Sequence, residues 1–285
     1  MEPMTLSFGV LIAYLSQAMG QMADPRQASN ATKYSLKDAV LAAFSVFLMQ
    51  SESFLEYQRH QQSHHGNSNT QSLFGMMIIP TVPQIRNILD GIPATTLSGV
   101  FHCVYQALQR EGHLKPLQVL GGLLIALNGT QYFDSHKLSC EQCSRQMHQN
   151  GSFTYFHSAI LPVIVSPRQA QVISLAPEFI TPQDGCDKQG SEVTAAKRWI
   201  AAHNGEFREQ PITLLGDDLY SRQPMGEAVI ASEMNFIFTC LPTSHSTLYE
   251  ALKTLDNQGD VKSLSIEHRN KSSKEVYSYR SVNPD

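Results

Sequence analysis

The sequence predicts a mixed α+β protein: a helical first part followed by a mixed β-sheet flanked by helices. Three observations predict it. Apolar residues recur at helical spacing up to about residue 112. The pattern then changes at Val119–Leu127 to a near-continuous apolar run of the kind found in a strand buried on both faces. Beyond that, strand-like and helix-like segments alternate, as expected of a sheet with helices on its faces. The domains expected are residues 1–112, helical, and 113–285, the sheet-bearing part, with a Cys/His insertion at about 134–157.

In the first part, Leu36, Val40, Phe44, Phe47 and Leu48 mark a helix that Ser35 is placed to cap. Ser51–Arg59 reads as a short second helix, and the polar run Gln61–Thr70, with His64 and His65, as an exposed loop. Pro80 and Pro83 bracket the start of a further helix, Pro83–Leu89, and Val100, Phe101, Val104 and Leu108 mark one more. Gln84 and Arg86 have two readings: the exposed face of a DNA recognition helix, or an ordinary capped surface helix.

In the second part the expected strands are Val119–Leu127, Phe153–Val165, Gln171–Leu175, Ile212–Leu215 and Asn235–Thr239. Helices are expected over Asp187–His203 and about Gln223–Ser232, with a helical stretch at Ser246–Leu255 and a last strand at Glu275–Arg280. In that order the first and fourth strands can lie parallel and adjacent. Asn128 and Asp217, just past their carboxyl ends, then face each other across a crevice, where such sheets place their chemistry.

Composition narrows the function classes. The 285 residues are 42% apolar, too many for a disordered chain, and no apolar run approaches the ~20 residues of a membrane span. Phe8–Leu15 follows Glu2 rather than a basic segment and does not read as a signal peptide or anchor. Five cysteines without framework spacing do not suggest a secreted disulfide scaffold, so a soluble, cytoplasmic protein is expected. Net charge is −4, and residues 1–115 carry seven basic and seven acidic side chains. A bulk basic excess, the usual footprint of a nucleic-acid binder, is absent.

Cys140 and Cys143, followed by His148 and His157, offer four ligands within eighteen residues. A Cys₂His₂ tetrahedron suits structural Zn²⁺, and a metal would fold an excursion that has no core of its own. Cys186 competes for the fourth place. A redox pair or no special role remain as alternatives, although redox pairs usually open a helix after a strand.

Taken in order, the motifs Leu127-Asn-Gly-Thr-Gln-Tyr-Phe133, Cys140-Glu-Gln-Cys143, Asn150-Gly151 with Tyr155-Phe-His157, Leu175-Ala-Pro-Glu178, Ala195-Ala-Lys-Arg198 and Gly216-Asp-Asp-Leu-Tyr220 resemble insertion-sequence transposases of the Asp-Asp-Glu class. The resemblance runs from about Ser35 onward. It implies a ribonuclease H-like core and DNA strand cleavage and transfer assisted by two Mg²⁺ ions. It also implies transposon-end DNA as partner, together with further copies of the chain or a full-length transposase, and no membrane. Asp217 takes the family's second acidic position. Asn128 stands where the family has its first catalytic Asp, and brings no negative charge.

The family's catalytic Glu lies on a helix beyond the last strands, whereas this sequence stops at Asp285, so a truncated copy with impaired catalysis is expected. Glu250 is the nearest stand-in among Glu227, Glu233 and Glu250. The other classes consistent with the resemblance are a non-catalytic DNA-binding or regulatory protein and a decaying gene fragment. Glu192 matches an acidic family position on the helix flanking the crevice, or pairs with Lys188. Lys197 and Arg198 meet DNA phosphates or form a solvated helix face. Asp218 is a second carboxylate of the site or a turn acid, and Glu178 lines the crevice or is solvated. Gly121-Gly122 lacks the spacing of a nucleotide loop.

Overall fold

The structure, a computed structural model, describes residues 6–26, 33–63, 70–76, 78–184, 188–270 and 273–282. Its first part is built from helices α1 (Phe8–Gly20), α2 (Leu36–Leu48), α3 (Phe54–Gln62), α4 (Val82–Leu89) and α5 (Ser98–Arg110). Serines punctuate their starts. Ser7, Ser35 and Ser53 each accept from the backbone N–H three residues on, satisfying a donor that the first helical turn leaves without a partner. The apolar faces of α1, α2 and α4 close on one core with Tyr57, Phe74 and Met76. The segment 61–70 is less exposed than its polarity suggests at both ends: Gln61 and Thr70 are buried and hydrogen-bond to each other. His64 and His65 lie outside the described residues.

α5 belongs to both halves of the chain. Its Val100 packs on the first core, while Tyr105 enters the second, where its ring meets Phe207 edge-on at 5.3 Å and its hydroxyl accepts from Gln210 at 2.6 Å.

The second core is organised by a five-stranded sheet in the order β6-β5-β1-β8-β9. These strands are β1 (Leu123–Ala126), β5 (Val163–Ser166), β6 (Gln169–Ser174), β8 (Ile212–Gly216) and β9 (Asn235–Phe238). β1, β8 and β9 run parallel, and β5 and β6 are antiparallel additions on the other side of β1. A second sheet, β2-β4-β3, carries β7 at the edge of β4; its strands are β2 (Gly129–Ser135), β3 (Ser144–Met147), β4 (Phe153–Ile160) and β7 (Glu178–Ile180). β10 (Lys262–Asn270) and β11 (Ser273–Ser281) form a separate hairpin.

Helix α6 (Lys188–His203) buries Ala195, Ala196, Trp199 and Ile200 in one core with Leu123, Ile125, Ile212 and Leu214. Helix α7 (Gln223–Ala231) adds Met225 and Val229 to it. Helix α8 (Ser246–Gln258) precedes the hairpin and ends on Gly259 at φ 85°, a left-handed cap that suits glycine.

Three strand expectations change. Val119–Leu127 is a strand only from Leu123, because Val119 and Gly122 bond to each other across a tight turn in which Leu120 (φ 51°) is fully solvent-exposed. Phe153–Val165 is two strands in different sheets, since Leu161-Pro162 breaks the run. The polar stretch expected as an excursion from Asp134 to Asn150 holds the end of one strand, β2, and the whole of another, β3, and the two lie on either side of β4. Polarity hid them because most of their side chains face solvent.

Among the described residues no helix is long and apolar enough to cross a membrane.

Candidate functional site

β1 and β8 pair in register from Leu123↔Ile212 to Ala126↔Leu215, and the Leu127 N–H still donates to the Leu215 carbonyl at 2.9 Å. Asn128 and Asp217 therefore occupy equivalent positions, two residues past the last pair, at the carboxyl ends of adjacent parallel strands. Both are exposed. The Asn128 carbonyl accepts from the Leu161 N–H at 2.9 Å, which fixes the backbone where the chain leaves one sheet for the other. One Asp217 oxygen accepts from the Leu219 N–H at 2.9 Å, a local turn contact.

The neighbouring Asp218 does different work. Its Oδ1 accepts from the Leu241 N–H at 2.7 Å and the Ser244 hydroxyl at 2.6 Å, with His245 at 3.5 Å. These bonds, the Leu241 one foremost, hold its carboxyl below the usual carboxylate range. Asp218 ties the strand end to the loop after β9, which is the turn-acid reading.

Glu192 is 5% exposed and reaches the same place from α6. Its Oε1 accepts from the Gly129 N–H at 3.0 Å and the Tyr220 hydroxyl at 2.8 Å. Gly129 and Tyr220 follow Asn128 and Asp217 in the chain, so the carboxylate is bonded to both walls of the crevice. A Cβ on residue 129 would overlap that carboxylate, which is the physical requirement for glycine there. Burial, and then the Glu192 charge, push the Tyr220 hydroxyl well above its ordinary pKa and keep it a donor. Lys188, the alternative partner of Glu192, has its side chain outside the described set. Sequence reasoning left Tyr220 out; its position three residues after Asp217 was the available signal. Glu227 hydrogen-bonds Gln223 on α7, and Glu250 is exposed on α8.

The Cys/His residues divide between two faces of the β2-β4-β3 sheet. Cys140 and Cys143 lie in the turn between β2 and β3, and His157 is on β4. The Sγ atoms are 3.6 Å apart, and His157 Nε2 lies 3.4 Å from Cys140 Sγ and 3.3 Å from Cys143 Sγ. This is a Cys₂His triad able to hold a metal ion. The Cys140 N–H donates to Cys143 Sγ at 3.2 Å. Burial lowers the pKa of His157 and raises that of Cys143, the neighbouring Cys140 thiol adding to the latter.

His148 falls outside this cluster: its Nε2 lies 2.6 Å from the Thr154 hydroxyl. The reason is strand parity. Thr154 and His157 are three residues apart on β4, so their side chains leave opposite faces. His148, whose N–H bonds the Ser152 carbonyl across the β3–β4 turn, shares the Thr154 face. Cys186 lies outside the described residues. The turn carries no helix after a strand, so the structural context of a redox pair is missing.

Of the residues considered for DNA, Gln84 and Arg86 are exposed on α4 and Lys197 is half-buried on α6. Arg198 is committed internally. Its guanidinium donates to Glu178 at 2.6 Å, to Asp184 at 2.5 Å and to the Phe179 carbonyl at 2.8 Å, pinning α6 to β7 and the turn after it. Burial of Asp184 raises its pKa, but the Arg198 and Thr181 hydrogen bonds outweigh it and leave the carboxyl below its ordinary value. Glu178 is thereby a partner of Arg198 rather than a solvated loop acid.

Arg198→Ala is therefore expected to lower stability by about 1–2 kcal/mol at neutral pH. Because the folded Asp184 pKa is depressed, its contribution is complete above the unfolded value near ~4 and is lost as pH falls through the folded value. Thermal unfolding of both proteins between neutral pH and pH 3 checks this: their difference should shrink in acid.

No family model matches the chain. No curated protein matches it either. Among solved structures, a cryo-EM structure of a piggyBac transposase synaptic complex with hairpin DNA matches with a TM-score of 0.38 and 10% identity. The match covers 98% of this chain and 59% of that one, so this chain spans less than two thirds of its length. At that distance the likeness carries neither fold nor activity across.

Proposed function

We propose that the chain is a transposase-like protein acting on DNA, with a ribonuclease H-like core whose catalysis is impaired. The observation that carries this reading is the five-stranded order, three parallel strands with two antiparallel ones beside β1, and Asn128 and Asp217 at the carboxyl ends of its two adjacent parallel strands. The motif resemblance expects an acidic pair there. Support for impairment comes from the donor set. Two Mg²⁺ ions need several hard carboxylate oxygens between them. The crevice offers one exposed carboxylate, Asp217, and a neutral amide, Asn128, while Glu192 is buried and already bonded to Gly129 and Tyr220. These residues do not fit a two-metal centre.

DNA binding without chemistry is the second reading, favoured by the same neutral Asn128. The test is incubation with a labelled duplex carrying the repeats that flank the coding region, with Mn²⁺. Salt-sensitive, repeat-selective binding without nicking is expected. Nicking by the chain as it stands overturns the impairment, and failure to bind any duplex overturns the DNA reading.

A further inference from the structure

We propose that Cys140, Cys143 and His157 form a zinc site with three protein ligands and solvent in the fourth position, independent of the crevice. The geometry is already that of a face of a coordination tetrahedron. Zinc bonds of about 2.3 Å to sulfur and about 2.05 Å to nitrogen imply edges of about 3.8 Å between sulfurs and about 3.6 Å from sulfur to nitrogen. The three distances, 3.6, 3.4 and 3.3 Å, fall a few tenths of an ångström inside those edges. They are far longer than the ~2.05 Å of a disulfide.

The sheet explains why these three meet. The β2–β4 register shifts between Gln131 and Phe133, leaving Tyr132 as a bulged residue. Its ring stacks on His157, with centroids 5.9 Å apart and planes 14° from parallel, and covers one side of the imidazole. The Cys140–Cys143 turn, closed by the Cys143 N–H donating to the Cys140 carbonyl at 3.1 Å, covers the end of the same ring. Two thiolates balance the charge of one Zn²⁺, so the occupied site is neutral overall. Among the described residues no further Cys, His, Asp or Glu joins the three, and Cys140 is exposed. The exposed side of Cys140 is where solvent takes the fourth vertex in this assignment.

The site also accounts for an otherwise weak piece of architecture. Residues 136–143 have no buried apolar side chain of their own. A metal bridging the turn to β4 supplies the missing anchor.

The test uses the full chain. Metal analysis after purification should find one zinc per chain. Co²⁺ substitution should give the thiolate charge-transfer and tetrahedral ligand-field bands of a two-sulfur site, and added imidazole should shift the latter by entering the open vertex. Cys143→Ser and His157→Ala should weaken zinc affinity by at least about 100-fold, whereas His148→Ala and Cys186→Ala should leave it within about twofold. Absence of both zinc and the cobalt bands from the folded wild-type chain overturns the site. Loss of metal in His148→Ala or Cys186→Ala, or cobalt bands indifferent to imidazole, overturns the three-ligand assignment. The wild-type cobalt spectrum does not depend on any variant folding.

Discussion

Trp199→Ala is expected to lower unfolding free energy by about 3–5 kcal/mol, the usual cost of emptying a buried aromatic site. Trp199 is fully buried at the centre of α6, among Ala196, Ile200 and Phe207. Its indole N–H donates to the Ala176 carbonyl at 2.9 Å, and the ring lies 5.2 Å from His203 and 6.1 Å from Phe207. The variant therefore opens a cavity and also leaves a buried carbonyl without its donor. In a chain of this size the midpoint of thermal unfolding should fall by about 10 °C.

Trp199→Phe separates the two losses. It keeps most of the volume and forfeits the hydrogen bond, for an expected cost of about 1–3 kcal/mol. Trp199 is the sole tryptophan, so its fluorescence reports wild-type unfolding directly, while circular dichroism follows the variants. An unchanged midpoint for Trp199→Ala would mean that α6 does not pack on the parallel strands as described.

The parallel pairing of β1 with β8 was legible because both strands are short apolar runs ending abruptly in polar turns, Asn128-Gly129 and Asp217-Asp218. A strand buried on both faces announces itself by composition, and the strand–helix alternation then leaves few topologies. The second sheet was not legible for the opposite reason. β2 and β3 are solvated, so their sequence carries turn-like polarity and no clean alternation.

That miss had a consequence at the Cys/His cluster. Without a β3–β4 register, His148 and His157 look equivalent by spacing; with it, parity puts them on opposite faces. Arg198 shows the same limit from another side. A basic residue on a polar helix face looks available to phosphate, and only the fold brings Glu178 and Asp184, twenty and fourteen residues away in the chain, against its guanidinium.

Asn128→Asp is expected to tighten Mn²⁺ binding by about 10²–10³-fold, from the following electrostatics. Opposite unit charges ~4 Å apart interact by roughly 4 kcal/mol at an effective dielectric of about 20. A dication doubles that attraction, while the new carboxylate gives up hydration on binding, leaving a net gain of about 3–4 kcal/mol. The register of β1 and β8 places the substituted carboxylate opposite Asp217, and the buried Glu192 carboxylate lies just behind at Gly129. Three acidic groups converging without a cation repel one another, so metal-free Asn128→Asp should unfold at a lower temperature than the parent and recover when Mn²⁺ is added. Mn²⁺ prefers oxygen donors, so the thiolate-rich triad on the other sheet does not compete for it.

Calorimetric titration of the parent, Asn128→Asp, and Asn128→Asp combined with Asp217→Asn reads the effect. The double variant should return to the weak affinity of the parent, because a single added carboxylate has no partner across the crevice. If Asn128→Asp binds no more tightly than the parent, the two strand ends do not share a cation. The crevice would then be only a seam between sheets, held by the Glu192 bonds to Gly129 and Tyr220.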